Sequence, residues 1–203
     1  NSDAVHNVAE LRVKSTINGL DVSKDLECEL GCNGIPTGIC CNSDIIYEQA
    51  SQCSYDSVVV LANSDTFCGL SAGYAAVCSD NSLSHLIFAH ELGHTFGGLA
   101  DEYVYAQAFG NYDIPEYFVV NSPNCDYAEC NKWDNLTDVC IPGCTSSNLY
   151  RSSESSIMGS PLYPEYNLVS KLHLQRRIDY REIKSDGLQA ISRVSGNLGN
   201  LEK

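Results

Sequence analysis

An α/β domain, α+β in its detail, is the fold class this sequence predicts, and three patterns carry the expectation. Val58-Val59-Val60-Leu61 is an unbroken apolar run bounded by Asp56 and Asn63, which reads as a buried strand. Leu83, Leu86, Ile87, His90, Gly93, His94 and Gly97 recur at helical spacing and so share one helix face. A second amphipathic stretch over 167–181 sets Leu168, Leu172, Gln175 and Ile178 on one side. The chain has 203 residues, 43% of them hydrophobic, enough for one sizeable domain or two small lobes around a cleft.

The elements follow in order. Residues 4–17 alternate loosely and predict a strand. A cysteine-rich loop runs from Cys28 to Cys41, turned by Gly31, Gly34, Pro36 and Gly38. Asp44 to Gln52 predicts a short helix. After the strand at 58–61, residues 72–78 predict another, with Cys68 and Cys78 placed to tie its ends, and this strand is a candidate rim of the cleft. The next helix starts near Asn81 or Ser82, either of which can cap it. It stops at Gly97-Gly98, because glycine accepts the left-handed backbone that ends helices. From 100 to 156 the chain reads as loops, and beyond the 167–181 helix it turns polar. One domain is therefore expected over 1–185, with an upper lobe of about 1–98, a lower lobe of about 99–185, and 186–203 as a tail or linker.

Charge and cysteines bound the function. The net charge of −14 disfavours nucleic acid and anionic membrane surfaces as partners, since both demand a positive face. No apolar run approaches the roughly 20 residues of a membrane-spanning helix. Eleven cysteines scattered through loops predict a disulfide framework, and with it a secreted, extracellular location. Cys125, Cys130, Cys140 and Cys144 faintly resemble a structural zinc set by spacing, but a chain so rich in cysteine favours bridges there too. The odd count leaves one cysteine over, free or available for assembly with another chain. The first residue is Asn rather than Met, which a processed mature form or an excised domain would explain.

The chemistry lies in His90-Glu91-Leu92-Gly93-His94. Residues four apart on a helix stand one above the other, so both imidazoles can reach a single Zn²⁺. Glu91 then points to where a water would lie and is the natural general base. With this composition the pattern arises by chance in roughly one such sequence in a hundred, so chance explains it poorly. Catalytic zinc takes three protein ligands and keeps one open position. Gly97-Gly98 lets the chain turn back, and Asp101, three residues after Gly98, is the favoured third ligand, with Glu102 the alternative. His85 points off the ligand face, while His173 and His6 read as structural or solvated.

The stretch His90 to Tyr103, HELGHTFGGLADEY, resembles the signature of the IgA-peptidase-like zinc metallopeptidase family, within the metzincin group. The sole methionine, Met158, stands in Ser155-Ser156-Ile157-Met158-Gly159, where metzincins keep a methionine turn beneath the metal. The resemblance spans roughly 53–181. It implies a metzincin-like zincin fold, with a twisted, mixed but mostly parallel sheet, an active-site helix, a C-terminal helix and disulfide-rich loops. It also implies a zinc endopeptidase acting on protein or peptide substrates, and points to Tyr163 or Tyr166 as a tyrosine that steadies the oxyanion. One departure matters: the usual frame would put the third ligand at Ala100, which cannot bind zinc, so the ligand falls to Asp101. Two rivals differ in kind. One is a non-catalytic extracellular adhesion or structural module that retains the fold. The other is a thermolysin-like peptidase whose third ligand is Glu116 or Glu129.

Overall fold

A computed structural model describes residues 26–52, 55–110 and 114–180. The strand expected at 4–17, His6, Cys53 and the 186–203 tail lie outside the described residues. What is described is a mixed α/β arrangement of several small sheets and helices, cross-linked by five disulfides.

The first half opens with a hairpin of β1 (Glu29–Leu30) and β2 (Ile39–Cys40). Helix α1 (Ser43–Ala50) follows, capped by Asn42, whose side-chain oxygen accepts from the N–H of Asp44 and of Ile45. Strands β3 (Val59–Ala62), β4 (Gly69–Ser71) and β5 (Ala75–Cys78) form one sheet in the order β3-β5-β4. β5 is buried along its whole length, as a central strand must be. Its inward partners Val60, Ala62 and Tyr74 join Ile39 and Ile46 of the hairpin and α1 in one core.

Two expectations change here. β3 and β5 are parallel, but β4 and β5 are antiparallel, so this sheet is mixed rather than mostly parallel. The reason is local: Gly73, at φ +82°, makes a tight turn in which Ala72 N–H bonds Tyr74 O, and only antiparallel strands can be joined that way. The same turn consumes 72–74, so the strand expected at 72–78 begins at Ala75 and lies in the middle of the sheet. The rim is β4. The Cys68–Cys78 bridge accordingly closes the open end of the β4–β5 hairpin.

Helix α2 (Ser84–Thr95) packs on this sheet, and Asn81 accepts from Leu83 N–H at its start. The second half contains α3 (Tyr105–Phe109) and α4 (Glu116–Val119). It also holds an antiparallel sheet of β6 (Cys125–Asp126), β7 (Ile141–Cys144) and β8 (Ser146–Arg151), in the order β6-β8-β7. That sheet occupies part of the stretch read as loops; β6 has two residues, and β7 is interrupted by Pro142 and Gly143, so neither shows a periodicity. The chain then runs through Met158 into a final helix, α5, over 168–180, where Asn167 caps the start by accepting from Ser170 N–H.

The bridges are Cys28–Cys41, Cys32–Cys40, Cys68–Cys78, Cys125–Cys144 and Cys130–Cys140. The last two consume the four cysteines whose spacing hinted at a structural zinc. Each closes a loop of 8 to 19 residues, which in the chain-entropy account stabilises by about 3 kcal/mol.

Candidate metal centre

The centre is assembled by the end of α2 and the reversal that follows. Gly98 takes the left-handed conformation at φ +63°, its N–H bonding His94 O while Leu99 N–H bonds Gly93 O. A Cβ on Gly97 would stand 2.4 Å from Gly93 O, so glycine is required there for closeness and at Gly98 for backbone angle. This reversal carries the chain back along α2 and delivers both Leu99 O and Asp101 to the histidine face.

His90 Nδ1 lies 2.8 Å from Ile157 O, and His94 Nδ1 lies 2.7 Å from Leu99 O. A carbonyl only accepts, so each Nδ1 carries the hydrogen and each Nε2 faces the centre. There the two Nε2 atoms are 3.2 Å apart, and Asp101 Oδ1 lies 3.0 Å from His90 Nε2 and 3.3 Å from His94 Nε2. Asp101 is 4% exposed, and its Oδ1 has no hydrogen-bond partner counted among the described residues. Three electron-rich atoms thus converge in a buried space, an arrangement that demands positive charge. Adjacent ligands of a tetrahedral zinc at about 2.0–2.1 Å are about 3.3 Å apart, so the triangle fits such an ion. Without a metal, protons fill the deficit. Burial opposes a charged His94, but the Asp101 carboxylate outweighs it and pulls the imidazole up to about 9; His90 rises in the same way against its burial. Asp101 itself is driven well below the ordinary carboxylate range by the two histidines, again against burial.

Glu91 sits beside this triangle, 7% exposed, and burial raises its pKa. Together His90, Glu91 and His94 form a group that could hold a metal ion. Glu91 is also held from above: a Cβ on Gly69 of β4 would lie 2.6 Å from Glu91 Oε1, so the edge strand and the carboxylate are nearly in contact. Below α2, Met158 is fully buried against Gly93, where a Cβ would come 2.6 Å from the Met158 sulfur. The turn that carries Met158 also supplies Ile157 O to His90.

Asp101 and Glu102 part company. Glu102 is 2% exposed and turns away from the histidines, accepting from Asn124 at 3.0 Å, Asn167 at 2.6 Å and Ser156 at 2.5 Å. It ties the reversal to the turn that carries Met158 and to the start of α5. Asn124 additionally grips Ala100 at both its N–H and its C=O, and Thr145 Oγ1 donates to Asp101 O. These two clamps flank the Cys125–Cys144 bridge. Nothing in the sequence marks Asn124 or Thr145, because their partners lie 24 and 44 residues away.

A cleft of about 450 Å³ opens on the centre, lined on one side by Phe67, Gly69, Leu70 and Ser71 and on the other by Tyr103, Tyr105 and Phe109. Neither tyrosine singled out after Met158 lines it. Tyr166 donates its hydroxyl to Ala89 O beneath α2, and Tyr163 lines a separate hollow beside Glu154. The chain after Met158 lines the cleft through Gly159, Ser160 and Pro161, and Tyr163 and Tyr166 lie beyond that stretch. Glu116 bonds Asn148 at 2.7 Å and Glu129 is solvent-exposed, so neither reaches the histidines. His85 is exposed, and His173 Nε2 contacts Gly97 O at the end of α2.

A sequence model described as IgA peptidase M64 matches residues 39–170, well over half of the chain and inclusive of every residue at this centre. The chain belongs to the IgA peptidase M64 family. Membership implies a metal-dependent peptidase. No curated protein matches the chain. The family resemblance read from HELGHTFGGLADEY therefore stands.

Proposed function

We propose that this chain is a secreted zinc-dependent endopeptidase with a metzincin-like catalytic domain, in which His90, His94 and Asp101 hold the metal and Glu91 is the general base. The observation that carries this reading is the triangle of His90 Nε2, His94 Nε2 and Asp101 Oδ1, with sides of 3.0 to 3.3 Å and both Nδ1 atoms already committed to carbonyls. Five disulfides support an extracellular setting, and no helix among the described residues is long and apolar enough to cross a membrane.

When bound, Zn²⁺ supplies Lewis acidity to a water and to the carbonyl under attack. Glu91, buried at the cleft wall, takes the proton of that water and returns it to the departing amine. Burial raises the affinity of Glu91 for that proton, which suits a group that must both accept and release it. β4 is the sheet edge at the cleft. Gly69 N–H is taken by Thr37 O, and strand alternation turns the backbone of Ser71 to the same outward edge, where an extended peptide can pair at Ser71. Met158 beneath Gly93 serves as the methionine turn, fixing the floor that orients His90.

The test combines elemental analysis with peptide cleavage. One zinc per chain and chelator-sensitive cleavage are expected; Glu91→Gln should retain the zinc and lose nearly all turnover. Zinc retention without any cleavage by the natural sequence would favour a non-catalytic module, and undiminished cleavage by Glu91→Gln would exclude the assigned base.

A further inference from the structure

We infer that Tyr105 is a positioning residue for the metal: its hydroxyl occupies Oδ2 of Asp101, so that Oδ1 alone is offered to the ion. The inference rests on the zinc reading above and adds a requirement to it. A carboxylate can bind a cation through one oxygen or through both. Tyr105 Oη donates to Asp101 Oδ2 at 2.5 Å, the length of a charge-assisted bond, while Oδ1 is left to the histidine nitrogens. One oxygen is spoken for and the other is aimed.

The tyrosine is itself fixed. Its ring stacks on Tyr103, with centroids 5.4 Å apart, and meets Phe109 edge-on at 5.6 Å. Its N–H bonds Thr145 O, the residue whose hydroxyl holds the main chain of Asp101. Asp101 is therefore gripped at its carbonyl by Thr145 and at its side chain by a phenol anchored to the same residue. A single buried oxygen offered to the ion also keeps room for a fourth, open position, which chelation through both oxygens would crowd. Tyr105 donates its hydroxyl to Asp101, with Tyr103 bonded to the same carboxylate beside it, and so acts as a holder of the ligand rather than a donor to substrate.

The experiment measures zinc affinity of the full chain against a chromophoric chelator, for the natural sequence, Tyr105→Phe and Phe109→Leu. The last disturbs the same aromatic cluster without touching Asp101. Tyr105→Phe should bind zinc about 10- to 100-fold more weakly, the usual effect of losing a hydrogen bond to a ligand, while Phe109→Leu stays within about twofold. Loaded with Co²⁺, Tyr105→Phe should also show weaker visible absorption, as the freed Oδ2 joins the ion and coordination rises above four. Circular dichroism and melting of the metal-free variants report folding separately. Unchanged affinity and spectrum in Tyr105→Phe would overturn the inference while leaving the zinc reading intact. Equal losses in both variants would overturn it in favour of packing. Failure of the natural sequence to bind zinc would instead bring down the metal reading, and this inference with it.

Discussion

Gly69→Ala separates the base from the ligands. Gly69 is not in the left-handed region, so alanine suits its backbone and the whole effect is steric. The new Cβ would lie 2.4 Å from Ile87 Cγ2 and 2.6 Å from Glu91 Oε1. Carbon atoms rest about 3.5–4.0 Å apart, so about 1 Å of separation must be found. Ile87 is 2% exposed and cannot swing into solvent, and β4 is pinned by its pairing with β5 and by the bond from Gly69 N–H to Thr37 O. Overpacking of this kind costs about 1–3 kcal/mol, or about 2–12 °C in melting temperature for a chain of this size. Glu91 must turn its carboxylate aside to make room, and misplacing a catalytic group by about 1 Å can cost about 10²-fold in rate. His90 and His94 are ordered from the other side, by Ile157 O and Leu99 O, so zinc content should not change. The assay is turnover of an internally quenched peptide beside zinc stoichiometry and a melting curve. Turnover within twofold of the natural sequence would refute the argument that β4 sets the position of Glu91.

Asn124→Ala strips partners from Ala100 N–H, Ala100 O and Glu102 at once, and each buried group left unpaired costs about 1–3 kcal/mol; a melting temperature unchanged by the substitution would contradict the clamp. Met158→Ala removes a fully buried side chain and should cost about 2–5 kcal/mol by melting, with zinc still bound because no ligand is touched. In the metal-free protein His94 is raised from 6.5 to about 9, so its stabilising contribution is complete below about pH 6.5 and lost as pH rises through about 9. Zinc uptake at pH 7 must therefore expel protons and weaken as pH falls, which calorimetry in two buffers of different ionisation enthalpy will count; no proton release would oppose the arrangement. Phe67, Leu70 and Phe109 line the cleft and no lysine or arginine does among the described residues, so peptides with large apolar residues beside the scissile bond should be cleaved faster than those with acidic ones, whose carboxylates would lose water without gaining a partner.

That His90, Glu91 and His94 come together was legible because a helix converts spacing into geometry without help from the rest of the chain. Asp101 was readable for a related reason, since Gly98 dictates a reversal and the reversal allows few destinations. Which of Asp101 and Glu102 faces the histidines needed the structure, because it depends on Asn124, Ser156 and Asn167, which come from three distant segments. Strand β3, an apolar run, could be recognised as a strand, but the expectation that it is buried fails, because it lies at a sheet edge with Val59 and Leu61 exposed. β6 and β7 could not be recognised, being short, and set by disulfides and by turns at Gly143 and Thr145 rather than by periodicity. The rim strand was misplaced by one hairpin because a single residue, Gly73, decides where β4 ends and β5 begins.

All five sulfur bridges are short-range, and among the described residues none joins the chain before Gly97 to the chain after Leu99. The seam between those portions is closed by non-covalent contacts, among them Met158 packed against Gly93 and the bonds of His90 to Ile157, Tyr166 to Ala89 and His173 to Gly97. A cation gripped by histidines from one side and an aspartate from the other would be the strongest rivet across it. Reductant and chelator should then injure the molecule differently, the first slackening each portion within itself, the second letting the two come apart.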